Sequence, residues 1–213
     1  MKANSTRLYL ARHGQVMGHD EFRYNGHSDV DITETGVSQM ENLAGFLSSK
    51  PLRGVYSSDL TRASRGADII GERLGVPRLR LSALRELHLG RWEGLTREEA
   101  VVKYPEDVRF SFRSLAKEKV FGGETLEDLR LRVMPAVGGI VSSFAGESVL
   151  IMAHGGVNRV VLCEAMGLDL SNFFRIEQDY GCLNIIDYFD DGVSVVKVLN
   201  GGPNQEMGAS KIY

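Results

Sequence analysis

Three short apolar runs stand out along the chain: Arg7–Ala11 (RLYLA), Gly54–Ser57 (GVYS) and Ser148–Ala153 (SVLIMA). Runs this short, rich in branched and aromatic residues and bounded by polar stretches, predict strands. Between them the period lengthens. Val37, Met40, Leu43, Ala44 and Leu47 recur at three- and four-residue spacing, which predicts a helix over about 34–49 with Thr33 as its N-cap. A second helix is predicted over 60–74, with Asp59 as its cap and Gly75 and Pro77 ending it. A third, over 96–104, stops at Pro105, and a long one covers about 125–144, where Pro135 predicts a kink or a division in two. A last helix over 156–166 follows SVLIMA. Strands over 182–189 and 193–199 flank Asp190-Asp191-Gly192, a hairpin turn signal. Residues 12–32 and 105–124 read as loops, 79–89 as part strand and part loop, and the tail after Gly201 as flexible.

Strands that alternate with helices predict an α/β sandwich with a mostly parallel sheet, helices on both faces and one antiparallel strand from the hairpin. Residues 1–213 are expected to form one domain, with a helical subregion inserted at about 90–145.

Composition narrows the class. An apolar content of 43% over 213 residues supports one large core, and a net charge of −3 argues against a nucleic-acid-binding face. Cys163 and Cys182 lack CxxC spacing and read as small buried residues, neither a disulfide framework nor a zinc signature. The five histidines show no HExxH-like spacing, so no metal is expected. No run approaches the ~18 apolar residues of a membrane span, and the first apolar run is too short for a signal-peptide core. The expectation is a cytoplasmic protein with no membrane or nucleic-acid partner.

The chemistry lies at the strand ends. LYLA runs into Arg12-His13-Gly14, VYSS into Asp59-Leu60-Thr61-Arg62, and VLIMA into His154-Gly155-Gly156. In a parallel α/β sheet, ligand sites form beyond the carboxyl ends of the strands. Arg12, His13, Arg62 and His154 are therefore expected at one edge. Guanidinium groups pair with phosphate oxygens, and a helix starting at Gly155-Gly156 adds backbone N–H donors. A neutral imidazole can attack phosphorus, while the arginines and a protonated second histidine would stabilise the equatorial oxygens. No cofactor is required. The leaving oxygen needs a proton, and Glu86 in LRELHLGRWEGL is the favoured donor: its apolar neighbours predict partial desolvation, which raises a carboxyl pKa. Asp59 and Glu93 are rivals.

These motifs resemble the histidine phosphatase superfamily, the phosphoglycerate mutase-like enzymes. LYLARHGQ resembles its opening strand and RHG motif, SSDLTRASRGAD its arginine segment, and LRELHLGRWEGL its acid-glutamate segment. FGGETLEDLRLRV is similar to its substrate-side loop and VLIMAHGGVNRVVL to its second-histidine motif, all in the family's order. The resemblance implies a three-layer α/β/α sandwich and a phosphohistidine on His13. It implies that Arg12, Arg62 and His154 hold the phosphoryl group, with Glu86 as proton donor and later base. It makes Gln15, Asn25, Gly26 and Gly155 lining residues for a small phosphomonoester.

The mutases of this family usually carry RHGxSxWN and a longer central insertion. Here the run is RHGQVMGH, with His19 at the asparagine position. A shorter cover admits water, so the resemblance favours net hydrolysis over phosphoglycerate mutation. ELHLGRWEG and FFRIEQDYGCLNII are similar to α-ribazole phosphatases, which act in cobalamin assembly, and Trp92 or Tyr180 would then stack on the aromatic base. A broad-specificity sugar or small-molecule phosphatase is the alternative. An esterase reading of HGG fails for want of a GxSxG elbow. A phosphate-binding module would need the arginines but not the acid.

Overall fold

A computed structural model describes residues 5–109 and 118–202. The expected flexible tail falls outside these residues, apart from its first positions, as does the middle of the 105–124 loop.

The strands are β1 (Ser5–Arg12), β2 (Leu52–Ser57), β3 (Arg78–Arg80), β4 (Ser148–Ala153), β5 (Leu183–Phe189) and β6 (Ser194–Gly201). They form one sheet in the order β3-β2-β4-β1-β5-β6. β1, β2, β3 and β4 run parallel, and β5 runs against both of its neighbours. The helices are α1 (Glu34–Leu47), α2 (Thr61–Leu74), α3 (Arg97–Lys103), α4 (Leu126–Ser143) and α5 (Gly155–Met166).

The period-2 alternation of the strands separates two cores. Leu8, Leu10, Val149 and Ile151 face α4 and α5. Tyr9, Ala11, Leu150 and Met152 face α1 and α2. β4 is buried at every position, as expected of a central parallel strand covered on both faces. The result is the expected α/β/α sandwich. A smaller cluster of Trp92, Ala100 and Val120, with Tyr24 and Leu89 against it, lies where α3 meets the 19–25 loop.

Three local expectations need correction. Asp59 does not cap α2: its carboxylate is held by two bonds from Arg85, both 2.7 Å, and Asp29 takes the Thr61 N–H and hydroxyl instead. Pro135 does not divide α4, which runs through it as one helix. The last strand begins and ends slightly later than its apolar pattern implies, at Ser194 and Gly201. Among the described residues, no helix is long and apolar enough to cross a membrane.

Candidate active site

The sheet register brings the strand ends together. Arg12 on β1 pairs with Ala153 on β4, and Ser57 on β2 pairs with Met152. His13 and His154 are therefore neighbours, each the first residue past a parallel strand. The His13 N–H donates to the Ala153 carbonyl at 3.1 Å, and the two rings stand edge to face with centroids 5.1 Å apart.

The hydrogen bonds assign the tautomers. His13 Nδ1 lies 2.8 Å from the Gly14 carbonyl, which can only accept, so Nδ1 carries the hydrogen and Nε2 keeps a lone pair. His154 is the reverse. The Arg62 Nε–H donates to its Nδ1 at 3.3 Å, so its hydrogen sits on Nε2. That donor is buried and meets no acceptor among the described residues.

Burial, then the charges of Arg12 and Arg62, push the His13 pKa well below the ordinary histidine value. Burial, then Arg62, His13 and Arg12, do the same to His154. Both shifts favour the neutral rings in the free protein, whereas the sequence-based expectation is an imidazolium at His154 when the phosphoryl group is held. Buried beside guanidinium groups, a second cation there is too costly.

The cationic groups are held by neutral oxygens. Arg62 is 2% exposed and donates to the Gly26 and Ser28 carbonyls at 2.6 and 2.7 Å. Arg12 donates to the Gln178 carbonyl at 2.6 Å and lies 4.1 Å over the Tyr180 ring. Its Nε is buried without an acceptor among the described residues. Beneath it, Gln178 is bonded to Asn158 and Asn184, a buried polar network that holds this carbonyl in place.

Glu86 meets these groups from the opposite side. Its carboxylate accepts the Leu87 N–H at 2.8 Å and the Gly156 N–H at 2.9 Å, so it sits on the N-terminus of α5. A Cβ at Gly156 would collide with that carboxylate, so only glycine allows the approach. The rivals are occupied elsewhere. Asp59 is paired with Arg85, and Glu93 accepts the His27 and Leu89 N–H groups at 2.8 and 3.1 Å.

A cavity of about 340 Å³ opens over His13. Arg12, Arg62, Glu86, Asn25 and Gly26 share its wall with His13, as does Gly156. His154 stands behind His13 and is fully buried. Gly155 lies beneath the Arg12 guanidinium, its Cβ direction pointing at that group. Gln15 is turned away. Its side-chain carbonyl accepts the Thr33 hydroxyl at 2.9 Å, binding it to the start of α1, and it does not line the cavity.

A family model for the histidine phosphatase superfamily (branch 1) matches residues 8–201. The chain belongs to this superfamily. It is 30% identical over 194 residues to phosphoserine phosphatase 1 of Hydrogenobacter thermophilus, covering 91% of this chain and 92% of that protein. It is 26% identical over 194 residues to the adenosylcobalamin/alpha-ribazole phosphatase of Salmonella typhimurium, covering 91% and 96%. Among solved structures it matches YhfR of Bacillus stearothermophilus with a TM-score of 0.82 at 32% identity, covering 91% of this chain and 96% of that one. Against three mycobacterial relatives at 31% identity, the chain spans only 55% of their length.

The cavity wall holds further residues outside the motifs. Tyr24, Leu87, Leu89, Phe173 and Phe174 give it apolar lining, and Arg23 and Arg97 share the wall with them. Trp92 lines it too, tilted against Tyr24 at 5.2 Å, with its indole N–H donated to Asp107 at 2.9 Å. Tyr180 lies under Arg12 and 5.7 Å from the His13 ring, beside the phosphoryl-binding groups. Arg159 on α5 lines the cavity as well. Its signal in the sequence is an arginine within the largely apolar run VNRVVLC.

Proposed function

We propose that this protein is a metal-independent phosphomonoesterase that works through a phosphohistidine on His13. One observation carries the reading: two buried donors, Arg12 Nε and His154 Nε2, have no acceptor among the described residues beside an imidazole with a free Nε2 lone pair. Buried donors left unpaired cost about 1–3 kcal/mol each. An acceptor-only group with several oxygens, held at His13, removes that cost. Arg12 and Arg62 add charge, and a phosphate dianion matches it.

The steps balance in atoms and charge. His13 Nε2 attacks phosphorus in line, the phosphorus–oxygen bond to the leaving group breaks, and its electron pair stays on that oxygen. Glu86 supplies the proton. Water then attacks the phosphohistidine and gives its proton to Glu86. The phosphorus–nitrogen bond breaks, its electrons return to Nε2, and phosphate leaves. Throughout, Gly14 holds the His13 ring and the backbone N–H groups of Leu87 and Gly156 hold Glu86.

The aromatic lining residues Tyr24, Trp92 and Phe174, with Arg23 and Arg97 in the same wall, support an ester whose alcohol carries an aromatic portion together with polar groups. α-Ribazole 5′-phosphate meets that description, and the similarity to the Salmonella enzyme adds to it. Phosphoglycerate mutation is the second reading within the same superfamily. The test is phosphate release from a panel containing α-ribazole 5′-phosphate, 3-phosphoglycerate and phosphoserine, with a chelator present. Release that survives the chelator and favours α-ribazole phosphate is expected. Release with another preference overturns the substrate, and conversion of 3-phosphoglycerate without release overturns hydrolysis.

A further inference from the structure

Arg23, Arg97 and Arg159 line the cavity without a part in the proposed reaction, and of these Arg159 lies against Gly155 beside Arg12. It stands on α5 among the buried Val157, Val160, Val161 and Leu162, and its side chain is only 19% exposed. Its Nε–H donates to the Ile176 carbonyl at 2.6 Å, which holds the plane of the group. Among the described residues its outer nitrogens have only a long ion pair to a solvent-exposed carboxylate. The nearest carboxylate, on exposed Glu177, is 3.8 Å from Nη2, and Nη1 makes no hydrogen bond to the described residues. A largely buried cation is normally paired, because desolvation is costly.

Its surroundings locate its task. A Cβ at Gly155 would stand 3.2 Å from Arg159 Nη1 and 3.6 Å from Arg12 Nε, so the two guanidinium groups converge over that glycine. On its other flank, the Arg159 group lies 5.6 Å from the Phe173 ring. Glu86, bonded to the neighbouring Gly156 N–H, and Arg12, across Gly155, act on it electrostatically with opposite sign. Arg159 thus occupies the junction of the phosphoryl donors, the proton donor and the apolar wall. An ester with its phosphorus at His13 Nε2 and its leaving oxygen toward Glu86 presents the first carbons of its alcohol to this junction.

We propose that Arg159 is a specificity residue that binds an acceptor oxygen on the leaving group next to the ester bond. It selects phosphate monoesters of alcohols with a neighbouring carboxylate, hydroxyl or ring oxygen over simple aryl phosphates. The guanidinium fork suits a carboxylate best. The proposal rests on the phosphatase reading for the orientation of the ester.

The experiment compares wild type, Arg159→Gln and Arg159→Lys on 3-phosphoglycerate and phenyl phosphate, by turnover and by calorimetric binding. Wild type is expected to bind 3-phosphoglycerate more tightly than phenyl phosphate. Arg159→Gln is expected to lower that preference by about tenfold or more, chiefly through KM, while phenyl phosphate changes by less than about threefold. Arg159→Lys falls between. Equal losses on both ligands overturn the proposal and move Arg159 to the phosphoryl group or the fold. An unchanged preference overturns it as well. If neither ester releases phosphate, the phosphatase reading fails, and the ratio of binding constants still decides the role of Arg159.

Discussion

Arg62 Nε donates to His154 Nδ1 across 3.3 Å, and this bond determines what His154 can do. With Nδ1 occupied, the ring offers only an Nε2–H. His154 is therefore a neutral hydrogen-bond donor, and a side chain that restores a donor at that place should restore function. His154→Gln, whose amide reaches about as far as Nε2, should keep more turnover than His154→Asn. His154→Ala should lose roughly 10²–10³ in kcat, the range for one lost donor to developing charge. Equal activity in the glutamine and asparagine variants would contradict the assigned tautomer.

His13→Ala should abolish turnover, because among the described residues no other imidazole lines the cavity. Rapid quenching of wild type with a labelled phosphate ester should trap an acid-labile phosphoryl group on the protein, absent in the variant. Substantial turnover by His13→Ala would exclude the covalent route.

Glu86→Gln should separate substrates by their leaving groups. Loss of the proton donor costs about 10²–10⁴ in rate for an alkyl ester. A nitrophenyl ester, whose oxyanion leaves without help, should lose far less in the first step. A pure phosphate-binding protein would show no such split, and its affinity for phosphate would survive the substitution.

Arg132 on α4 clamps the segment that carries Glu86. It donates to the carbonyls of Ala83, Arg85 and Glu86 at 3.0, 2.9 and 3.1 Å, and it pairs with Glu124 through two bonds of 2.8 and 2.7 Å. Arg132→Met should cost roughly 1.5–3 kcal/mol of stability, from bonds to a charged group. It should also lower kcat more than it weakens phosphate inhibition, since Arg12 and Arg62 are untouched. Thermal unfolding and the kcat-to-Ki comparison check both parts. A loss of stability with kcat unchanged would show that the clamp serves the fold alone.

The two buried histidines make stability depend on pH with a definite sign. Their folded pKa values are depressed, so the unfolded chain binds more protons once pH drops below the ordinary histidine value of about 6.5. Stability contributed by the neutral rings is present above that pH and is lost as pH falls through it. Urea midpoints measured between pH 8 and 5 should decline on the acid side. The decline should be shallower in His154→Gln. A wild-type midpoint that rises toward pH 5 would contradict neutral burial.

Local pattern was enough for most of the fold. β4 lies at the predicted residues because SVLIMA is apolar throughout and both its faces are covered. α1 ends close to its predicted limits because its apolar face repeats every three to four residues and Thr33 caps it. The convergence of Arg12, His13, Arg62 and His154 was legible because a parallel sheet aligns the carboxyl ends of its strands.

What the sequence could not determine was which polar atom bonds to which. Asp59 sits where a cap belongs, yet Arg85 claims it from the far side of the loop. Gln15 follows the RHG motif, yet Thr33 turns it out of the cavity. The charge state of His154 and the place of Arg159 depend on burial and on partners distant in the chain. Strand and helix patterns are set by neighbours within a few residues, whereas tautomers, ion pairs and cavity walls are set by groups that meet only when the layers pack. Local pattern thus sets the layers and the edge where the chemistry gathers, and long-range contacts set the hydrogen-bond partners of the histidines and the shape of the pocket.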